Sequence, residues 1–345
     1  MSNTQNNTEH NTSSNTEVAA QILDIVFKRR KLLESAQVAM VSDLSTTVQS
    51  TQQNTQQSTE QNNKERHQHL LKIEQMVSNN QPIHMILPAY PGKSPNRDKT
   101  LSKLPDLSEE HSLDNLGQLC QEISQVYSVG AKICICSDGY VFADLVRIPD
   151  ADVLAYTQAI QAYYQKHYPD YFEFYDIKDC YPQLNCLDSM REELMVGHGE
   201  SLLTLKAKSQ VEKETQSMYK GITKFLFEDF LGLTEFVGQS KTQTQKMAKQ
   251  VSLRVIQRSN AWSQLLEGVY PGSLRLSIHP QFRESAKIGI KMADSDDCWR
   301  TPWHSVAVRK DAQIWLQKRS NIDENKFRLI FSRGKPSHYQ QISMA

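Results

Sequence analysis

IHMILPAYPGKSPNRDKTLSK, residues 83–103, joins a short apolar run to a polar loop, and its reading sets the class of fold. Ile83–Leu87 reads as a buried strand. Pro88, Pro91, Gly92 and Pro95 then break it into a loop that presents Lys93, Ser94, Asn96, Arg97 and Lys99. Several kinds of donor on a Gly/Pro loop at a strand's carboxyl end suit an anionic small molecule, and the prolines limit the entropy lost when a ligand is held. As a loop lysine, Lys93 is expected to be exposed, so its loss should leave stability almost unaltered. A solvated loop with incidental charge accounts for the same residues without a ligand.

Outward from this strand the chain alternates helix and strand. Leu70, Leu71, Ile73, Met76 and Val77 suggest a short helix before it. Leu113, Leu116, Cys120, Ile123 and Tyr127 mark a helix after it, which Gly130 stops. Lys132–Cys136 reads as a strand, Ser137-Asp138-Gly139 as a turn, and Tyr140–Val146 as a further strand. A helix from Asp150 to about His167 and a strand Tyr171–Ile177 follow. Two long helices then span about Val211–Leu231 and Ser240–Glu267. Leu274–Ile278, Lys287–Lys291, Ser305–Val308, Ile314–Gln317 and Phe327–Phe331 read as strands. The pattern predicts a Rossmann-like α/β fold, a largely parallel sheet flanked by helices, with additional C-terminal antiparallel strands.

The organisation expected upstream is a disordered polar tail over residues 1–15, an N-terminal helix over 16–42 and a Gln/Ser/Thr-rich linker over 43–64. Ser14 and Glu17 have capping-box spacing, and Val18, Ile22, Ile25, Val26 and Leu33 share a face that would run to about Met40. Residues 65–340 then form the domain that carries the chemistry.

Composition narrows the function. Thirty-nine basic and 39 acidic side chains cancel over 345 residues, which gives no footing for a nucleic-acid partner. The six cysteines include no C-x-x-C pair. Cys134 and Cys136 alternate with Ile133 and Ile135 and read as small buried hydrophobes in a reducing compartment. No apolar run approaches the roughly 20 residues that span a bilayer, and no signal-peptide pattern opens the chain, so a cytoplasmic location is expected. Gly92-Lys93-Ser94 lacks the earlier glycine of a phosphate loop, since Leu87 occupies that position. No metal site is expected. There is no H-x-D element, and His198-Gly199-Glu200 has no third ligand in sequence.

The remaining chemistry is carried by scattered polar groups. Arg258 and Arg275 suit a phosphate or carboxylate clamp, because a guanidinium fork matches either anion. Arg258 serves equally as a cation at a helix end. Arg275 lies between Leu274 and Leu276, so it needs an acidic partner or a ligand. Ser277 and His279 share its strand face by the two-residue period; a solvated edge strand is the alternative. His304 is a candidate for proton transfer. Asp138 is a turn former or a second acid/base group. Tyr219, Lys220, Glu228 and Asp229 read as a solvated helix face.

LPAYPGKSPN, CSDG within GAKICICSDGYVFAD, YKGITKFLFED, RSNAW, RLSIHP and TPWH occur in that order between about Ile83 and Val308. Together they resemble the isocyanide synthase family, also called the pyoverdine/dityrosine biosynthesis family. The resemblance implies condensation of the amino group of L-tyrosine or L-tryptophan with C2 of ribulose 5-phosphate. It implies loss of water and carbon–carbon cleavage to an isocyanide, with no redox cofactor. It also implies an iron/2-oxoglutarate oxygenase as a pathway neighbour. The chain offers His279, His304 and Asp138 for proton transfers, and Lys93, Ser94, Asn96, Arg258, Arg275 and Ser277 for holding the substrates' anionic groups. An N-formyl amino acid synthase of the dityrosine type and a non-catalytic phosphosugar-binding module are the alternatives.

Overall fold

A computed structural model describes residues 3–33 and 53–342, with side chains from 14–33 and 66–342. Helices α1 (Asn3–Phe27) and α2 (Gln53–Ser78) lead into β1 (Ile83–Leu87). After the loop come α3 (Leu107–Val126), β2 (Ala131–Cys136), α4 (Gly139–Val146), α5 (Asp150–His167) and β3 (Phe172–Tyr175). A helical stretch follows: α6 (Ile177–Cys180), α7 (Leu187–His198), α8 (Leu202–Val211), α9 (Lys213–Leu231) and α10 (Lys241–Val269). Strands β4 (Leu274–Ser277), β5 (Lys287–Gly289), β6 (Asp294–Ser295), β7 (Val306–Lys310), β8 (Gln313–Gln317), β9 (Phe327–Ser332) and β10 (Lys335–Gln341) complete the chain. None of the described helices is long and apolar enough to cross a membrane.

The first sheet is wholly parallel, in the order β3-β2-β1-β4-β5. The period of two divides its side chains. Ile83, Met85, Leu87, Ile133, Ile135, Leu274 and Leu276 face α1, α2, α3 and α5 in the larger core. Ile86, Cys134 and Cys136 face α4, α7 and the Trp262–Leu266 turns of α10. From β1 the chain builds outward to β2 and β3, then returns to place β4 on the other side of β1. That reversal opens a crevice at the carboxyl ends of β1 and β4, where ligands bind in open α/β sheets. The second sheet, β6-β8-β7-β10-β9, holds the antiparallel pairs β7–β8 and β9–β10.

Several expectations are corrected. Helix α1 is already under way at Ser14, because polar residues can extend a helix that packed apolar turns stabilise. It ends at Phe27. Arg30 and Leu32 instead bridge to Ile290 and Gln281, so the sheet edge takes the backbone that the helix pattern would have continued. Leu33, just after this bridged segment, is buried. The predicted helix end and residues 43–52 of the predicted linker lie outside the described residues, while 53–64 belong to α2. Tyr140–Val146 is a helix, not a strand. Its apolar run has no alternation, and Tyr140, Val141, Ala143, Leu145 and Val146 are buried in contact with two cores. Strand β10 escaped notice because Pro336 argues against a strand; a register shift between Pro336 and His338 accommodates it.

Candidate active site

The Lys93 loop folds inward. Gly92 has φ +126°, which favours glycine. The Ser94 amide donates to the Trp303 carbonyl at 2.9 Å, and the Tyr90 and Trp303 rings lie 5.5 Å apart. These contacts bring LPAYPGKSPN onto TPWH. The CSDG turn packs against the same loop. Ser137 donates to the Tyr90 carbonyl at 3.2 Å, and any Cβ on Gly139 would overlap the Pro91 carbonyl.

The expectation of an exposed Lys93 is corrected. Its side chain has no accessible surface, and its Nζ lies 2.9 Å from both Asp106 and Glu109. Burial alone would lower the ammonium's pKa; the two carboxylates outweigh it and raise it. Burial pushes Glu109 up against the pull of Lys93, and Asp106 adds to the rise. With two carboxylates beside one ammonium, Glu109 favours a retained proton. Lys93 therefore has its anionic partners inside the protein.

Ser94 and Asn96 are also tied internally. Ser94 donates to Asp229 at 3.0 Å, and Asn96 donates to the Glu228 carbonyl at 2.8 Å. Lys99 reaches Asp229 at 2.6 Å and Glu228 at 3.2 Å. The Glu228-Asp229 end of α9 is thus no solvated face: Asp229 is buried, and burial raises its carboxyl despite Lys99 and Ser94. Arg258 is held by Asp144 and the Val141 carbonyl, and Arg275 by Glu267 at 3.0 Å and by Ser263. Of the two readings left open for Arg275, the acidic partner is present.

The histidines are placed differently. His304 ends a short 3-10 turn, Pro302–His304. Its Nδ1 is 3.0 Å from the Thr301 hydroxyl, its Nε2 is 3.8 Å from Asp229, and its ring lies 5.3 Å from Phe225. Burial, then Lys99 and His279, hold it well below the ordinary histidine range. His279 follows β4 and sits 5.8 Å from the Trp299 ring. Burial lowers it to about 4, with Lys31 and Lys287 adding to the shift. Yet His279 is exposed and the His304 side chain keeps 28% of its surface. Open surface amid dense protein marks groups that line a recess. Both imidazoles are neutral at pH 7 and can accept a proton. Ser277 accepts from the His279 amide and Gln281, which shapes the turn beneath this recess.

Asp138 stands apart. Burial raises its carboxyl to about 7, and no charged side chain contributes. Its Oδ1 is buried without a hydrogen bond, and it does not cap α4. A carboxyl so placed is a candidate acid/base group held at a cost in stability. The sign follows from its ordinary value of 3.8. The unfolded chain ionises first, so the native chain loses stability as pH rises from about 4 to about 7. Asp138→Asn is expected to melt progressively higher than the native protein across that range while turnover falls. A melting-temperature difference that does not widen between pH 4 and pH 8 would show a solvated carboxylate.

Sequence reading passed over Lys31, Lys287 and Arg300, each of which acts on one of the two histidines. Arg300 stands beside the TPWH motif, which was a usable signal; Lys31 and Lys287 carried none. Among the described residues no cluster of His, Cys, Asp and Glu is placed to hold a metal ion.

Known proteins resemble this chain in sequence and fold. The model of the pyoverdine/dityrosine biosynthesis protein family matches residues 73–330. The L-tryptophan isonitrile synthase AmbI2 of Fischerella ambigua is 37% identical over 322 residues, 93% of this chain and 91% of its own. An L-tyrosine isonitrile synthase of Pseudomonas aeruginosa is 41% identical over 274 residues, 79% of this chain and 83% of its own. The crystal structure of PvcA from Pseudomonas aeruginosa superposes with a TM-score of 0.83 at 34% identity, covering 94% of this chain and 99% of that one. Matched from before β1 to within β9, across the parallel sheet, the Lys93 loop and both histidines, the chain belongs to the pyoverdine/dityrosine biosynthesis family, in which the isonitrile synthases fall.

Proposed function

We propose that this protein is an isocyanide synthase that joins the amino group of an aromatic L-amino acid, tryptophan or tyrosine, to C2 of ribulose 5-phosphate. The observation that carries the reading is the pair His279 and His304, neutral and open to a recess by the β1/β4 crevice, in a chain related to synthases of that name. A neutral imidazole takes the proton from the substrate ammonium and frees the amine to attack the sugar carbonyl. His304 has the better geometry, because Asp229 lies close enough to stabilise the imidazolium that forms. Loss of water gives an imine. Further proton shifts and carbon–carbon cleavage leave the former C2 on nitrogen, and Asp138 is a second group able to hold a proton near neutral pH.

The test is product analysis with ribulose 5-phosphate labelled with carbon-13 at C2 and each aromatic amino acid in turn. A labelled isocyanide is the expected product. A labelled formamide would assign the N-formyl chemistry instead. Binding of both substrates without turnover would make the protein a phosphosugar-binding module.

A further inference from the structure

We propose that Lys31, Lys287 and His279 together bind the phosphate group of the sugar substrate. The clamp expected from sequence has its carboxylates already: Lys93 has Asp106 and Glu109, Arg258 has Asp144, and Arg275 has Glu267. Lys31 and Lys287 do not. Among the described residues, no carboxylate lies at ion-pair distance from either ammonium.

Lys31 reaches the recess because its backbone is stitched to the sheet. Its amide donates to Gly289 at 2.7 Å, its carbonyl accepts from Gln281 at 3.2 Å, and Leu33 donates to Gln281 at 2.9 Å. Gly289 is flush with this segment; a Cβ there would overlap the Lys31 carbonyl. Upstream, Arg29 is fastened to Glu122 on α3 by two hydrogen bonds of 2.9 and 2.6 Å. The Lys31 Nζ then lies 2.9 Å from the carbonyl of Ile278, the residue before His279. Lys287 enters from β5, where it pairs in register with Arg275. By the strand period, Arg275 and Ser277 lie on one face of β4, and His279 follows in the bend at its end.

This juxtaposition brings the Lys31 ammonium to the carboxyl end of β4, with Lys287 on the neighbouring strand β5 in register with Arg275. Burial lowers Lys31 to about 8 and also lowers Lys287. Desolvated ammonium groups with carboxylates nearby but none in contact are costly to hold, and a dianion entering the recess lowers that cost. A neutral His279 adds an N–H donor. A phosphate meets all three groups better than a single carboxylate does. The helix-like N-terminal region thereby becomes part of the site, through the segment that follows it.

The identity of the phosphate carrier rests on the synthase reading above; the anion site rests on the geometry alone. The experiment is calorimetric titration of the full chain with inorganic phosphate, ribulose 5-phosphate and L-tryptophan, repeated on Lys31→Ala, Lys31→Arg and Lys287→Ala. The backbone bonds of residue 31 survive these changes, and unaltered melting temperatures check that they do. Affinity for ribulose 5-phosphate is expected to fall at least about 10-fold in each alanine variant, consistent with the strength of a charge-assisted hydrogen bond. Lys31→Arg should retain most of it, and tryptophan affinity should not move. Equal ribulose 5-phosphate affinity in native and Lys31→Ala protein overturns the site while leaving the synthase reading intact. Loss confined to tryptophan overturns it too, and reassigns the cations to the amino acid's carboxylate. Phosphate-dependent binding that the lysine variants abolish, in a protein that makes no isocyanide, upholds the site and removes the synthase reading.

Discussion

Replacing Lys93 with alanine is expected to destabilise the protein by about 3–5 kcal/mol, the range for removing one partner of a buried ion pair. The lysine side chain is fully buried, and its loss leaves Asp106 and Glu109 facing each other without a counter-ion. Tyr156 donates to Glu109 at 3.1 Å, which offsets only part of the deficit. The loss depends on pH in a stated direction. The Glu109 carboxyl would be pushed further up in the folded state, so the penalty is largest above neutrality and shrinks as protonation relieves it at lower pH. Urea unfolding at pH 5 and pH 8 measures this. Adding Glu109→Gln to Lys93→Ala should restore part of the stability, because it removes a charge that the single variant strands. A native-like midpoint for Lys93→Ala at pH 8 would contradict the buried cluster. The cluster also reaches the chemistry: Lys93 donates to the Pro302 carbonyl at 3.3 Å, within the turn that carries His304.

Substituting His304 with glutamine should lower turnover by about 10²–10⁴-fold, the contribution usual for a positioned general acid or base. Stability should hardly change. The side chain is partly open and makes one short contact, to the Thr301 hydroxyl at 3.0 Å. The amide can replace that hydrogen bond but cannot take a proton from an ammonium. Because the imidazole is already neutral, activity of the native protein should not collapse through His304 protonation until pH falls well below 6.5. Single-turnover measurements with saturating amino acid and sugar phosphate separate the chemical step from binding. Turnover in His304→Gln within a few-fold of native would move the base to His279 or Asp138.

Much of the scaffold was legible locally. Ile83–Leu87 and Lys132–Cys136 are short apolar runs, and the observed strands match them closely. Ser240 caps α10 through Gln243, a signal contained within four residues. Tyr140–Val146 shows where local reading failed. A run apolar at nearly every position has no period to separate helix from strand, and burial against two cores decided the matter.

The site divides along the same line. By itself, the sequence determined the family and the parallel sheet and named the two histidines as candidates, since motif order and short-range patterning are properties of the chain. The tertiary structure decided which charged groups already have partners inside the protein. Lys93 looked available because neither Asp106 nor Glu109 is marked in sequence as its partner; helix α3 delivers both to one point. Lys31 looked irrelevant because the carbonyl it reaches is 247 residues away. A charge's partner depends on distances of a few ångströms after folding, because Coulomb energy and desolvation both vary steeply over that range. Residue type alone carries no such distance.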